Sequence, residues 1–173
     1  AKWTLRLSST LNTRISAHHK LRSGIIVSDE RFRMYSNSFD LDRDRMVVNL
    51  DRTGSARTVQ AFTSWKWRMN EQWSLTSGVH VLYFDLNKAA SVEPRIAARY
   101  QVRPDRAFTL GAGLHAKTEG LMTYMAQDID DAGNVIRPNE KLGLTRAAHA
   151  VAGYEQQLAE DVQRRMLPQA TLK

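Results

Sequence analysis

Apolar and polar residues alternate along most of this chain with a period of two. Trp3, Leu5, Leu7, Leu11 and Ile15 share one parity, against Thr4, Arg6, Ser8, Thr10, Asn12 and Arg14 on the other. Successive side chains of a β-strand point to opposite faces, so the pattern predicts a strand with one apolar and one polar face. Residues 21–28 follow less cleanly, with Leu21, Ile25 and Val27 together. In residues 57–69, Val59, Ala61, Trp65, Trp67 and Met69 oppose Thr58, Gln60, Ser64, Lys66 and Arg68. In residues 73–85, Leu75, Val79, Val81 and Tyr83 oppose Ser74, Thr76, Gly78 and His80. Residues 91–102 set Val92, Pro94, Ile96, Ala98 and Tyr100 against Glu93, Arg95, Arg99 and Gln101. Residues 108–117 set Phe108, Leu110, Ala112 and Leu114 against Thr109, Gly111, Gly113 and His115. A weaker segment covers 145–158. The least regular covers 162–172, where Pro168 cannot donate to a ladder.

These segments predict an all-β chain, an antiparallel meander of about eight strands, many longer than the soluble norm of about 5–6 residues. Strands that cross a bilayer at a tilt need about 9–11 residues, which points to part of a transmembrane β-barrel. The connections are expected to alternate in length. Residues 16–19, 70–72, 103–106 and 159–161 read as tight turns, and residues 29–56, 86–90 and 118–144 as longer loops. Outer-membrane barrels sort their loops this way, with short turns at the periplasmic end and long loops at the extracellular end. Trp3, Trp67, Trp73, Tyr83 and Tyr100 fall near the expected strand ends, where membrane–water interfaces favour amphipathic rings.

Composition changes this picture little. The mean hydropathy of −0.47 is low for a membrane protein, but in a barrel the polar face dilutes the apolar one. No apolar run approaches the roughly 18 residues of a spanning helix. Cysteine is absent, which removes disulfides and thiolate metal sites. The net charge of +7 would suit nucleic acid, yet the basic residues sit singly at strand spacing (Arg6, Arg14, Lys20, Arg22, Lys66, Arg68, Arg95, Arg99). A polar sheet face is therefore expected, with no nucleic-acid partner.

Candidate chemistry is sparse. His80 and His115 fall on the polar parity, where a barrel lumen would receive them. With Glu119, Asp128, Asp130 and Asp131 in the 118–144 connection, they are the candidate ligand contacts. The run Asp128-Ile129-Asp130-Asp131-Ala132-Gly133-Asn134 partly resembles a calcium loop but lacks the closing twelfth-position Glu, and it is equally good turn chemistry. His18 and His19 are adjacent and would point apart, so no metal site is expected. Nothing resembles a G-x-S-x-G nucleophile setting, and neither enzymatic activity nor a cofactor is expected. The DLDRDR run from Asp40 to Arg45 reads as a solvated loop able to meet an extracellular ligand or surface partner. Gly24, Gly78, Gly111 and Gly113 share the polar parity, where they would relieve crowding inside a barrel.

Three stretches, residues 60–87, 91–119 and 139–162, resemble the barrel region of TonB-dependent outer-membrane receptors of the Bacteroidetes type, which carry a carboxypeptidase-like regulatory domain. The most specific pieces are Ser91-Val92-Glu93-Pro94-Arg95, Gly111-Ala112-Gly113-Leu114-His115 and Leu142-Gly143-Leu144-Thr145 with His149 and Gly153-Tyr154. The resemblance implies a Gram-negative outer membrane and a barrel of about twenty-two strands. It also implies a separate plug domain and a TonB complex that powers entry of a nutrient or metal chelate. The expected partners are outer-membrane lipid, the remaining strands, the plug, TonB, and a surface lipoprotein or other outer-membrane protein. Residues 164–169 depart from the family's aromatic-rich alternation, and no plug-like sequence is present. Residues 1–173 are therefore expected to form a barrel-region fragment. The alternative is a small outer-membrane or soluble antiparallel barrel that binds a ligand or partner without TonB.

Overall fold

In the computed structural model, which describes residues 1–41, 44–130 and 132–157, each alternating segment there becomes a strand. The strands are β1 (Lys2–Arg14), β2 (His19–Asp40), β3 (Arg45–Arg68), β4 (Trp73–Phe84), β5 (Ala89–Arg103) and β6 (Arg106–Lys117). A short helix α1 (Leu121–Met125) and a small hairpin of β7 (Asp128–Ile129) and β8 (Val135–Ile136) then precede β9 (Thr145–Gln156). The sheet is an all-antiparallel meander in the order β1-β2-β3-β4-β5-β6-β9. It is open, with β1 and β9 as its edges, and no closed barrel forms among the described residues.

Side-chain caps make the tight turns. Ser16 Oγ accepts the N–H groups of His18 and His19 at 3.1 and 3.2 Å. Asn70 Oδ1 accepts those of Gln72 and Trp73 at 2.9 and 2.7 Å. Both are turns in which a short polar side chain replaces a backbone acceptor.

Register then aligns the apolar parities of neighbouring strands. One row runs Leu7, Val27, Val59, Tyr83, Ala90, each directly paired with the next. Another, at the tight-turn end, runs Trp73, Tyr100, Phe108, Tyr154. Paired residues share a face, so the sheet has one nearly continuous apolar face and one polar face. Ser23 and Thr63 fall on the apolar face, but their hydroxyls hydrogen-bond each other at 3.0 Å.

Three expectations about the connections are corrected. Residues 29–56 are not a loop: β2 and β3 stay paired as a ribbon out to Asp40 and Arg45. Their alternation is hidden because Phe32 and Met34 switch the apolar residues to the other face, and a bulge at Ser36/Asn37 shifts the parity. Residues 86–90 are not a longer loop either, since β4 and β5 join through a turn of Asp85–Lys88 in which Lys88 takes a φ of 59°. Strict alternation of short and long connections is thus lost, and among the described residues only 118–144 form a long one. The strand expected over 162–172, and the turn at 159–161, lie outside the described residues.

The long connection turns back over the polar face. Tyr124 and Met125 of α1 pack with Phe32, Leu50, Ala56 and Phe84 in the main buried cluster. The Phe84 and Tyr124 rings sit 5.2 Å apart at 52°. Arg52 to Glu140 at 3.1 Å tethers the far side of the connection. Replacing Phe84 with Ala should therefore cost about 3–5 kcal/mol, the usual loss for a truncated buried aromatic. Limited proteolysis should show faster cleavage within residues 118–144 while far-UV dichroism keeps its strand signal; unchanged cleavage would refute the anchoring role.

Candidate ligand-binding site

The densest polar chemistry on the polar face is built from three adjacent strands. Glu93 on β5 pairs directly with His80 on β4, and His115 on β6 follows one strand over. Glu93 is 1% exposed. Its Oε2 lies 3.1 Å from His80 Nδ1, 3.3 Å from His115 Nδ1 and 3.0 Å from an Arg95 guanidinium nitrogen. Ser91 Oγ donates to its Oε1 at 3.0 Å. A buried carboxylate is tolerable only when charge-assisted hydrogen bonds replace its lost water, and this cluster supplies them. His80 Nε2 meets Gln60 Oε1 at 3.2 Å, so both nitrogens of that ring face oxygen.

Glycine leaves the room this crowding needs. A Cβ on Gly113 would stand 2.9 Å from Arg95 Cγ and 3.3 Å from His149 Nε2, so the two long side chains pass over a bare backbone.

Beside the cluster is a cavity of about 440 Å³, roofed by residues 118–121. His80 and His115 line it together with Lys2, Arg6, Lys117 and Glu119, above a floor that includes Leu82 and Phe84. The volume falls within the range of about 300–1,000 Å³ typical of small-molecule sites. Lys2 Nζ pairs with Glu30 at 3.0 Å, and the Glu119 carboxylate accepts the Thr145 hydroxyl.

Three of the expected contacts, His80, His115 and Glu119, thus converge on one cavity. Asp128 and Asp130 do not line it. Asp130 instead holds the β7–β8 turn: its carboxylate accepts the Asn134 N–H at 2.7 Å and the Asn134 side-chain amide at 3.1 Å, around Gly133 at φ 85°. Those bonds from Asn134 hold its pKa below the ordinary 3.8. Asp128 accepts the N–H of Ile129 at 2.8 Å. Asp131 lies outside the described residues. Among the described residues no group of three or more metal-binding side chains is assembled. Of the adjacent histidines, His18 Nδ1 lies 3.0 Å from Arg68 O, and His19 stacks on Trp65 and Trp67.

Sequence reasoning missed Glu93, Arg95, Arg6 and Lys117 as site residues. A signal existed for Glu93, the one acidic residue of β5, on the polar parity opposite His80. No protein-family model, curated protein or solved structure matches the chain.

Two outcomes follow from this geometry. Glu93→Ala should destabilise the fold by about 1–3 kcal/mol, because it leaves the buried Ser91 hydroxyl without its acceptor and empties a packed site beside His80. Glu93→Gln should cost less; equal denaturation midpoints for the wild type and Glu93→Ala would disprove the cluster's structural role. For Asp130 the folded pKa is depressed, so its contribution to the turn is fully present above the unfolded value of 3.8 and fades as pH falls through the folded one. The Asn134 amide resonance should titrate with a midpoint below 3.8, and Asp130→Asn should abolish the step.

Proposed function

We propose that this chain supplies wall and loops of a transmembrane β-barrel in a Gram-negative outer membrane, through which a nutrient or metal chelate is taken up with energy from TonB. The observation that carries the membrane reading is the exposed apolar face. Leu7 is 64% exposed, Leu110 63% and Ile96 52%, on a face running across seven strands. A patch of this extent is unfavourable in water at about 25 cal/mol per Å², whereas lipid chains cover it without cost.

The borders of the face support the same reading. At the tight-turn end the aromatic row stacks: Trp73 on Tyr100 at 4.6 Å, Phe108 against Tyr154 at 5.1 Å, and Trp65 on Trp67 at 5.8 Å. At the other end Asp29 pairs with Arg31 at 3.4 Å and Arg57 at 3.6 Å, with Arg31 over the Trp3 ring. From Trp73 to Tyr83 on β4 is about 33 Å along the strand, or about 25 Å after a tilt of about 40°, the height of an outer-membrane apolar band. The open edges β1 and β9 leave backbone groups that lipid cannot satisfy, which calls for pairing with further strands. The TonB assignment is supported by the likeness of residues 60–87, 91–119 and 139–162 to the receptor barrels. In this reading the chain contributes no catalysis, and the plug and TonB complex are its partners.

Ile96→Arg separates lipid from water. At the middle of a lipid-facing strand it should cost about 2–4 kcal/mol, whereas Thr109→Arg on the inner face should cost little. Urea midpoints of the protein in lipid vesicles read the difference, and a near-neutral Ile96→Arg defeats the membrane reading. Energy coupling is tested by ligand uptake in cells lacking the TonB complex. Uptake that persists there would favour a barrel that binds its ligand without TonB.

A further inference from the structure

The cavity beside His115 has a chemical bias of its own. Its floor is apolar, with Leu82 and Phe84, and Lys2, Arg6 and Lys117 bring positive charge to its lining. Among the rim charges, Lys2 is neutralised by Glu30. Glu93, behind the two histidines, is held by Arg95 and Ser91. The Arg6 and Lys117 side chains have no ion-pair or hydrogen-bond partner among the described residues. The remaining acid is Glu119, which accepts the Thr145 hydroxyl.

Unpaired cations on a strand are ordinarily solvated and purposeless. These two differ because both, though exposed, line one cavity over the apolar Leu82 and Phe84, so that an anion lodged there meets both charges at once. Arg6 offers a planar, bidentate donor and Lys117 a compact point charge, the pair of geometries that recognises carboxylate or phosphate oxygens.

We propose that this cavity binds a small anion with an apolar body, such as an aryl or short alkyl carboxylate or phosphate monoester. The head lies between Arg6 and Lys117, and the body lies on Leu82 and Phe84. As a statement about what is taken up, it rests on the transport reading above; as a binding site, it rests on the inner face alone. Glu119 opposes the anion and sets an upper limit on affinity, and salt weakens the complex.

The test is calorimetric titration of the protein, purified as its own cell produces it, with phenyl phosphate, benzoate and the neutral benzamide. Phenyl phosphate and benzoate should bind more tightly than benzamide, with affinities that fall as salt rises. Arg6→Gln combined with Lys117→Gln should weaken phenyl phosphate about ten-fold or more, the worth of losing charge-assisted bonds, and leave benzamide unchanged. Glu119→Gln should tighten phenyl phosphate about two- to three-fold. Equal affinities for phenyl phosphate and benzamide on the unsubstituted protein overturn the proposal, even if the double variant fails to fold. So does a folded double variant that binds phenyl phosphate unchanged. Recovery of the protein in the soluble fraction overturns the membrane reading alone and leaves these comparisons standing.

Discussion

When two antiparallel strands share a ladder of backbone hydrogen bonds, directly paired residues must lie on the same face of the sheet. Register is therefore a statement about seven strands at once, and a slip of one residue in any of them would turn its apolar side chains among the charges of the other face. The pairing here keeps Leu7, Val27, Val59 and Tyr83 in line, and Trp73, Tyr100, Phe108 and Tyr154 in another. Tight turns capped by Ser16 and Asn70 hold that register at one end.

Once the apolar residues are collected on one face, the polar face must solve a different problem. Its charged side chains are brought together by the same ladder, and each needs a partner or water. Glu93 solves it by accepting from Arg95 and Ser91, with the His80 and His115 rings 3.1 and 3.3 Å away. Arg99 solves it with Glu155 on β9. The connection after β6 then covers part of this face, and its anchor is apolar: Tyr124 and Met125 against Phe32 and Phe84. A cavity forms beneath the start of that cover, beside the charged residues. Apolar face, cluster and cavity are thus consequences of one pairing scheme.

The apolar face and the cavity also divide the functional questions cleanly. The exposed apolar face is carried by Leu7, Ile96, Leu110 and the aromatic row. The cavity on the opposite face is lined by Arg6, His115, Lys117 and Glu119. Neither set touches the other, because successive side chains of every strand point to opposite faces.

The period-two alternation determined, without any coordinates, that residues 3–15, 57–69, 73–85, 91–102 and 108–117 are strands, and which residues of each share a face. That is local information, carried by neighbours two positions apart. It also placed His80 and His115 on the polar face. The ribbon of residues 29–56 was not legible, because Phe32 and Met34 owe their inward position to α1, which arrives about ninety residues later in the chain. Nor was Glu93's role, since a lone acid in a strand becomes the centre of a cluster only when β4 and β6 bring their histidines to it. Alternation decides faces; only the pairing of distant strands and the returning connection decide which residues on a face meet.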